Sequence, residues 1–339
     1  MMHCWQCSSD IWVLNGPDNG LAFMLADAGY DVWLGNARGN FYCEQHLTMS
    51  PMTEAFWEFS IDEIGQIDVP TKIDYILKVV NQTKLHYVGF SQGTSALLIA
   101  LSTKPLYNQK LRSTHLLAPS VFFCHVKTPA IQALYSILGS PNIVSRLFGT
   151  LPFQEIFALF RSFAIRFCSI ATNLDLCINA LGILTGPYSP YMNRTLFVDL
   201  LDTVPAGGSN RQVNHIMQSA LSCGFSSYDF GYQRNMQKYG NPLPPAYQLK
   251  NISTATPIDM YFADNDSLVS VADTQQLFKI MGSKAAWHRI KYRKFGHMDF
   301  VLASNVKVCI NDCILAKMQS YEGRAFKGGL CKCFRNKPF

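Results

Sequence analysis

Gly89-Phe90-Ser91-Gln92-Gly93 sets a serine between two glycines, where a β-forming run at residues 85–90 gives way to an apolar run at residues 95–101. The first run reads as a buried strand and the second as a helix. A serine at such a turn is held in a strained conformation that only small neighbours tolerate. Its hydroxyl points out over the carboxyl ends of the strands, and the helix N-terminus offers free N–H groups to a developing oxyanion. The chemistry that fits is nucleophilic attack on a carbonyl. It requires a base to take the hydroxyl proton and a carboxylate to hold that base in one tautomer. Around such an elbow the partners follow in the chain order Ser, Asp or Glu, His, each on a loop after a strand. Asp266 follows the strand-like run 258–263, and His297 follows 287–292. Of the eight histidines, His297 alone lies on a late post-strand loop beside a glycine. Two other carboxylates compete for the acid's role. Asp299 is two residues from the histidine, too close to orient it easily from another loop, and Asp264 sits nearer its strand, where a turn role suits it.

The elements that must position these residues follow a strand–helix rhythm. A helix over 21–28 ends at Gly29, and Tyr30 to Leu34 reads as a short strand leading into the loop Gly35-Asn-Ala-Arg-Gly-Asn40. Pro70 suits a first helical turn, and residues 71–80 continue with apolar positions near a period of 3.6. After the elbow comes the strand His115 to Pro119; after Pro257 come strands 258–263 and 287–292, a helix at 272–282 and a final helix at 300–320. Such alternation predicts a mostly parallel α/β sheet flanked by helices. Between 125 and 245 the rhythm changes to aromatic and Leu/Ile-rich helical patterning, with turns at 139–141, 186–187 and 205–208. The expected organisation is therefore a core over 1–124, a helical cap over 125–245, a second core segment over 246–320, and a basic tail over 321–339.

Composition limits the function classes. With 48% hydrophobic and 15% charged residues, the chain reads as packed and globular. A formal charge of +6, clustered only in the tail from Lys327 to Lys337, gives no basic stripe for nucleic acid. No apolar stretch is long enough for a transmembrane helix: the most apolar region, 155–186, is broken by Arg161, Arg166 and Asp175. Met1 to Gln6 carries no signal-peptide pattern. Sequons at Asn81, Asn193, Asn251 and Asn265 point instead toward secretion. The eleven cysteines are many for a cytosolic enzyme and few for a disulfide scaffold. The close pairs Cys4/Cys7, Cys309/Cys313 and Cys331/Cys333 lack histidines at ligand spacing, so neither a metal nor another cofactor is expected.

The motifs together resemble the acid lipases, the group that contains gastric lipase and lysosomal acid lipase and has many insect relatives. The matching segments run from residue 8 to residue 320. They include Trp12-Val-Leu-Asn-Gly-Pro17, Ala28 to Asn40, Phe56-Trp-Glu-Phe-Ser60, Leu85-His-Tyr-Val-Gly89, Pro205-Ala-Gly-Gly208, Tyr228-Asp-Phe-Gly231 and His297-Met-Asp-Phe300. The resemblance implies an α/β-hydrolase fold with residues 125–245 as cap and lid. It also implies Ser91 as nucleophile, Asp266 as triad acid, His297 as base, and hydrolysis of triacylglycerols or sterol esters at a lipid–water interface, in a secreted or lysosomal setting. It pairs Cys168 with Cys177 and makes the Gln92 N–H one of two oxyanion donors. The other donor comes, in the family, from a His-Gly-Leu type loop near the N-terminus. Family sequences begin further upstream, and this one is expected to pick up after that loop, at Ser8-Ser-Asp10, without the first strands. An inactive lipid-binding protein is the alternative which that expectation raises. Phe90 stands where the family commonly has His, and its side chain is expected to pack beneath the elbow. Asn81, Asn193 and Asn251 remain candidate glycosylation sites, whereas a glycan on Asn265 would crowd the triad acid.

Overall fold

The computed structural model describes residues 1–127, 132, 153–187, 189–324 and 331–335. The turn expected at 139–141 and most of the basic tail lie outside them. Four parallel strands form the sheet in the order β1-β2-β3-β4: β1 Leu85–Phe90, β2 Leu111–Leu117, β3 Ile258–Phe262 and β4 Ala285–Arg289. The main helices are α1 Leu21–Asp27, α2 Val69–Val79, α3 Gln92–Thr103, α4 Phe153–Cys168, α5 Ala171–Thr185, α6 Phe197–Thr203, α7 Asn210–Ser222, α8 Tyr232–Tyr239, α9 Val271–Met281 and α10 Asp312–Tyr321. Helices α4 to α8 fall between β2 and β3, where the sequence predicts a helical cap.

Each face of the sheet carries its own core. Ile64, Ile73, Leu97, Leu101, Met260 and Leu277 pack on one face; Leu25, Val88, Phe90, Tyr261, Ile314 and Met318 pack on the other. Helix α3 is buried at every position from Gln92 to Leu101. An apolar run without a polar face is what a helix enclosed on all sides requires, and this enclosure fixes the elbow at its N-terminus.

Several boundaries differ from the sequence reading, each for a local reason. β2 starts at Leu111, not His115, because its polar residues find partners inside the sheet: Ser113 Oγ lies 2.6 Å from His86 Nδ1 and 3.0 Å from His115 Nε2. Tyr30 to Leu34 is not a strand. Its backbone runs beside the first two residues, through Met1 N to Trp33 O (2.7 Å) and Gly35 N to Met1 O (2.9 Å), with one isolated parallel bridge between Met2 and Gly35. The final helix is interrupted after Asp299–Leu302, where Ser304 N donates to Tyr191 O of the cap segment.

The cysteines and tail also depart from expectation. Ten of the eleven cysteines form five disulfides: Cys4–Cys7, Cys124–Cys223, Cys168–Cys177, Cys309–Cys333 and Cys313–Cys331. The tail cysteines thereby tie residues 331–335 to the last helical segments, and Arg335 N donates to Arg289 O, extending past β4. This part of the tail is held against the body, not solvated as its basic composition suggests.

Candidate active site

Ser91 has φ 50° and ψ −114°, a conformation that costs a non-glycine residue about 1–3 kcal/mol unless the surroundings impose it. Here they do. Ser91 N donates to Leu117 O of β2 (2.9 Å), and Ser91 O accepts from Thr94 N (2.8 Å) and from the Thr94 hydroxyl (2.5 Å). The flanking glycines are needed for space. A Cβ on Gly89 would stand 2.8 Å from Gly93 O, and one on Gly93 would run into the Met2 carbonyl oxygen. The first N–H groups of α3, beginning with Gln92, have no intrahelical acceptor.

The acid and base loops meet beside the elbow. Asp266 Oδ2 lies 2.7 Å from His297 Nδ1, and its Oδ1 accepts from Leu268 N (2.9 Å) and Val269 N (2.8 Å). Both side chains are buried, with 1% and 2% of the residue exposed. A carboxylate on Nδ1 fixes the tautomer with its proton there, leaving Nε2 as the basic lone pair. The Phe90 ring lies 5.0 Å from the His297 ring, centroid to centroid, so the residue that precedes the serine packs directly on the imidazole. This is the packing role expected for Phe90, directed at the imidazole itself.

The two rival carboxylates have other partners. Asp264 is paired with Arg289 (2.7 Å) and with Arg335. Asp299 clamps the base loop, its Oδ2 accepting from Gly296 N (2.6 Å) and from the Ser189 hydroxyl of the cap segment. Burial pushes the Asp299 carboxyl up to about 6, the nearby Asp266 carboxylate adds to the rise, and the two hydrogen bonds oppose it. Sequence spacing carries no sign of this clamp, because Ser189 is 110 residues away. The end of α5 is bolted on at two more points. His297 N donates to Thr185 O (2.9 Å), and Asn265 Nδ2 donates to Pro187 O (3.0 Å) and Lys294 O (3.2 Å). Gly186, at φ 136°, has no room for a side chain between the Asn265 carbonyl and Gly296. The Asn265 amide is thus engaged within the protein, as is that of Asn193, which donates to Asn15 Oδ1; Asn81 and Asn251 are exposed.

The residues that precede Ser8 are built into the surroundings of the elbow. Met2 lies alongside β1, its N donating to Val88 O (2.8 Å) and its O accepting from Phe90 N (3.0 Å). His3 to Cys7 then crosses the start of α3. His3 is fixed through Nδ1 to Cys4 O (2.7 Å) and Nε2 from Ala37 N (3.0 Å), and burial holds its pKa down to about 4. A tight turn follows, closed by Cys7 N to Cys4 O (3.2 Å) and by the Cys4–Cys7 disulfide, with Gln6 at φ 58°. His3-Cys4-Trp5 thus lies across the start of α3, where the absence of a side chain on Gly93 makes room for the Met2 and His3 carbonyls.

Nothing else among the described residues competes as a site. Cys124, His125 and Asp273 lie close together, but the cysteine is consumed in a disulfide, and His125 Nδ1 pairs with Asp273 Oδ1 at 2.7 Å. A cavity of about 410 Å³ at the outer edge of β1, lined by Trp33, Ile73 and Lys84 among others, contains no triad residue.

The parallel sheet, the strained elbow at the end of β1 and the two late loops define the α/β-hydrolase class. A profile of the alpha/beta hydrolase fold matches residues 3–303. Lipase 3 of Drosophila melanogaster is 37% identical over 323 residues, covering 95% of this chain and 82% of that protein. Gastric triacylglycerol lipase of Bos taurus is 37% identical over 300 residues, 87% of this chain and 73% of the relative. Among solved structures, a soluble variant of the monoglyceride lipase of Saccharomyces cerevisiae superposes with a TM-score of 0.54 at 14% identity, over 96% of this chain and 86% of the other. The chain belongs to the acid lipase group of the α/β-hydrolases, and it is a carboxylic ester hydrolase. No helix among the described residues is long and apolar enough to cross a membrane.

Proposed function

We propose that the chain hydrolyses neutral lipid esters, such as triacylglycerols or sterol esters, through an acyl-enzyme on Ser91. His297 Nε2 takes the serine proton as Oγ attacks the ester carbonyl, and returns it to the leaving alcohol. Water then repeats the sequence in reverse and releases the fatty acid. Asp266 holds the imidazole and balances its charge after protonation. The Gln92 N–H and a peptide N–H of the turn 4–7 bind the oxyanion. The observation that carries this reading is the buried Asp266–His297 pair packed against Phe90, the residue that precedes an elbow serine at positive φ. The named relatives support lipid as the ester class. Five disulfides support an oxidising compartment, secreted or lysosomal.

The test is hydrolysis of p-nitrophenyl esters of increasing acyl length and of emulsified triacylglycerol by the purified chain and by Ser91→Ala. The expected result is turnover that rises toward long acyl chains and disappears in the variant. A preference for short, soluble esters would overturn the lipid assignment while leaving the triad in place.

A further inference from the structure

Gln92 presents two groups in two directions. Its peptide N–H belongs to the oxyanion site, and its carboxamide reaches into the cap, where Oε1 accepts from Gln212 Nε2 at 3.0 Å. Both residues are buried, at 5% and 3% exposure. Gln212 is itself fixed at its other end. It closes the capping box of α7: its Oε1 accepts from Ser209 N (2.8 Å), its N donates to Ser209 Oγ (3.2 Å), and the Ser209 hydroxyl donates to Phe59 O. Gly208, at φ 152°, leaves the space this carboxamide fills, since a Cβ there would stand 2.6 Å from Gln212 Oε1. The same loop holds the opposite wall of the site. Ala206 N donates to Gln6 O (2.7 Å), and Ala206 O accepts from Phe41 N (3.0 Å). Residues 205–212 therefore bond to the turn 4–7 on one side and to Gln92 on the other.

We propose that Gln212 is a positioning residue, acting through the Gln92 side chain to set the direction of the Gln92 peptide N–H relative to the turn that carries the second donor. This rests on the serine ester hydrolase reading. The physical reason is that oxyanion donors act through preorganisation, and small displacements of them are costly. Gln92 follows a serine held at positive φ and begins a helix, so its peptide is constrained on one side only by the elbow. Without Gln212 its buried carboxamide loses its partner, and the residue must shift to find another. A helix cap alone would stabilise α7 and leave turnover untouched, so the two roles separate in kinetics.

The experiment is a double-mutant cycle on the full chain with a p-nitrophenyl ester, reading kcat, KM and Tm for Gln92→Leu, Gln212→Leu, the double variant and Gln212→Glu. Each leucine variant is expected to lower kcat by about 10-fold or more with KM little changed, and the double variant to be no worse than the worse single. Gln212→Glu should recover most of kcat, because glutamate keeps the capping box and accepts a hydrogen bond from a turned Gln92 amide. Multiplying penalties, a loss confined to Tm or KM, or a glutamate variant as slow as the leucine would each overturn the inference. Fluorophosphonate labelling of the wild type separates this from failure of the underlying reading: Ser91 labelled but uncoupled glutamines sinks only the positioning role, and an unlabelled Ser91 sinks both.

Discussion

Two histidine–aspartate pairs with the same 2.7 Å spacing invite comparison, because only one of them lies beside the elbow. His297–Asp266 sits on loops beyond the carboxyl ends of the strands. His288–Asp259 sits within β4 and β3 themselves. Around Asp259 every partner is used up. Lys317 Nζ is 2.9 Å from Oδ1, the Tyr321 hydroxyl 3.1 Å from Oδ2, and His115 Nδ1 3.7 Å from Oδ2. The network runs on from His115 through Ser113 and His86 to Glu322, where His86 Nε2 meets Oε1 at 2.9 Å. It is a closed structure of charges and hydrogen bonds, and its one serine hydroxyl, on Ser113, is fully buried between His86 and His115, out of reach of a substrate. At the loops, Asp266 spends one oxygen on two backbone N–H groups and the other on His297, whose second nitrogen is left for chemistry. A histidine–aspartate contact is therefore not a signature by itself. Its position relative to the elbow decides what it does.

The two pairs should respond to the same substitution in opposite ways. Asp266→Asn should cost kcat a factor of about 10⁴ through loss of the tautomer, with Tm nearly unchanged. Asp259→Asn should leave kcat within a few-fold and lower stability by about 3 kcal/mol, since it breaks a buried ionic cluster, as read by urea unfolding. Equal effects on turnover would remove the distinction. A smaller loss, about 10-fold in kcat with unchanged Ser91 labelling stoichiometry, is expected for the Cys4→Ser, Cys7→Ser variant, because an opened turn holds its donor less firmly. That compares with no kinetic effect for Cys309→Ser, Cys333→Ser at the far end of the sheet.

The smallest effects come from pH, and they carry opposite signs in the two regions. Burial holds His115 down to about 3 from 6.5. The unfolded chain therefore takes up a proton there that the folded chain refuses, and stability is lost as pH falls below 6.5. Asp299 is raised from 3.8 to about 6. The folded chain binds that proton first, so its contribution strengthens as pH falls through 6 toward 4. Each slope is at most about 1.4 kcal/mol per pH unit. Melting curves between pH 7 and 4 should show His115→Gln flattening the acid loss and Asp299→Asn steepening it.

Much of the site could be read from the chain because its signals are local. The glycines at 89 and 93 must be small, and the strand and helix around Ser91 are both apolar runs. Asp266 and His297 each follow a strand. The turn at residues 4–7 escaped for a local reason as well: no strand-like run precedes it. Contacts made across long separations left no local trace. Ser189 to Asp299, Gln212 to Gln92 and the Asp259 network join residues that neither periodicity nor spacing connects. The polar strand residues Ser113, His115 and Asp259 look unsuited to a buried sheet until their partners on other strands and on α10 are in place. The same holds for the tail, whose basic composition masked two cysteines that anchor it.

Labelling with a fluorophosphonate probe, mapped by peptide mass spectrometry and timed across variants, addresses the assignment of the nucleophile most directly. A single adduct on Ser91 is predicted, forming rapidly in the wild type and in Asp259→Asn and far more slowly in Asp266→Asn. An adduct on another residue, or no adduct on a folded chain, would contradict it.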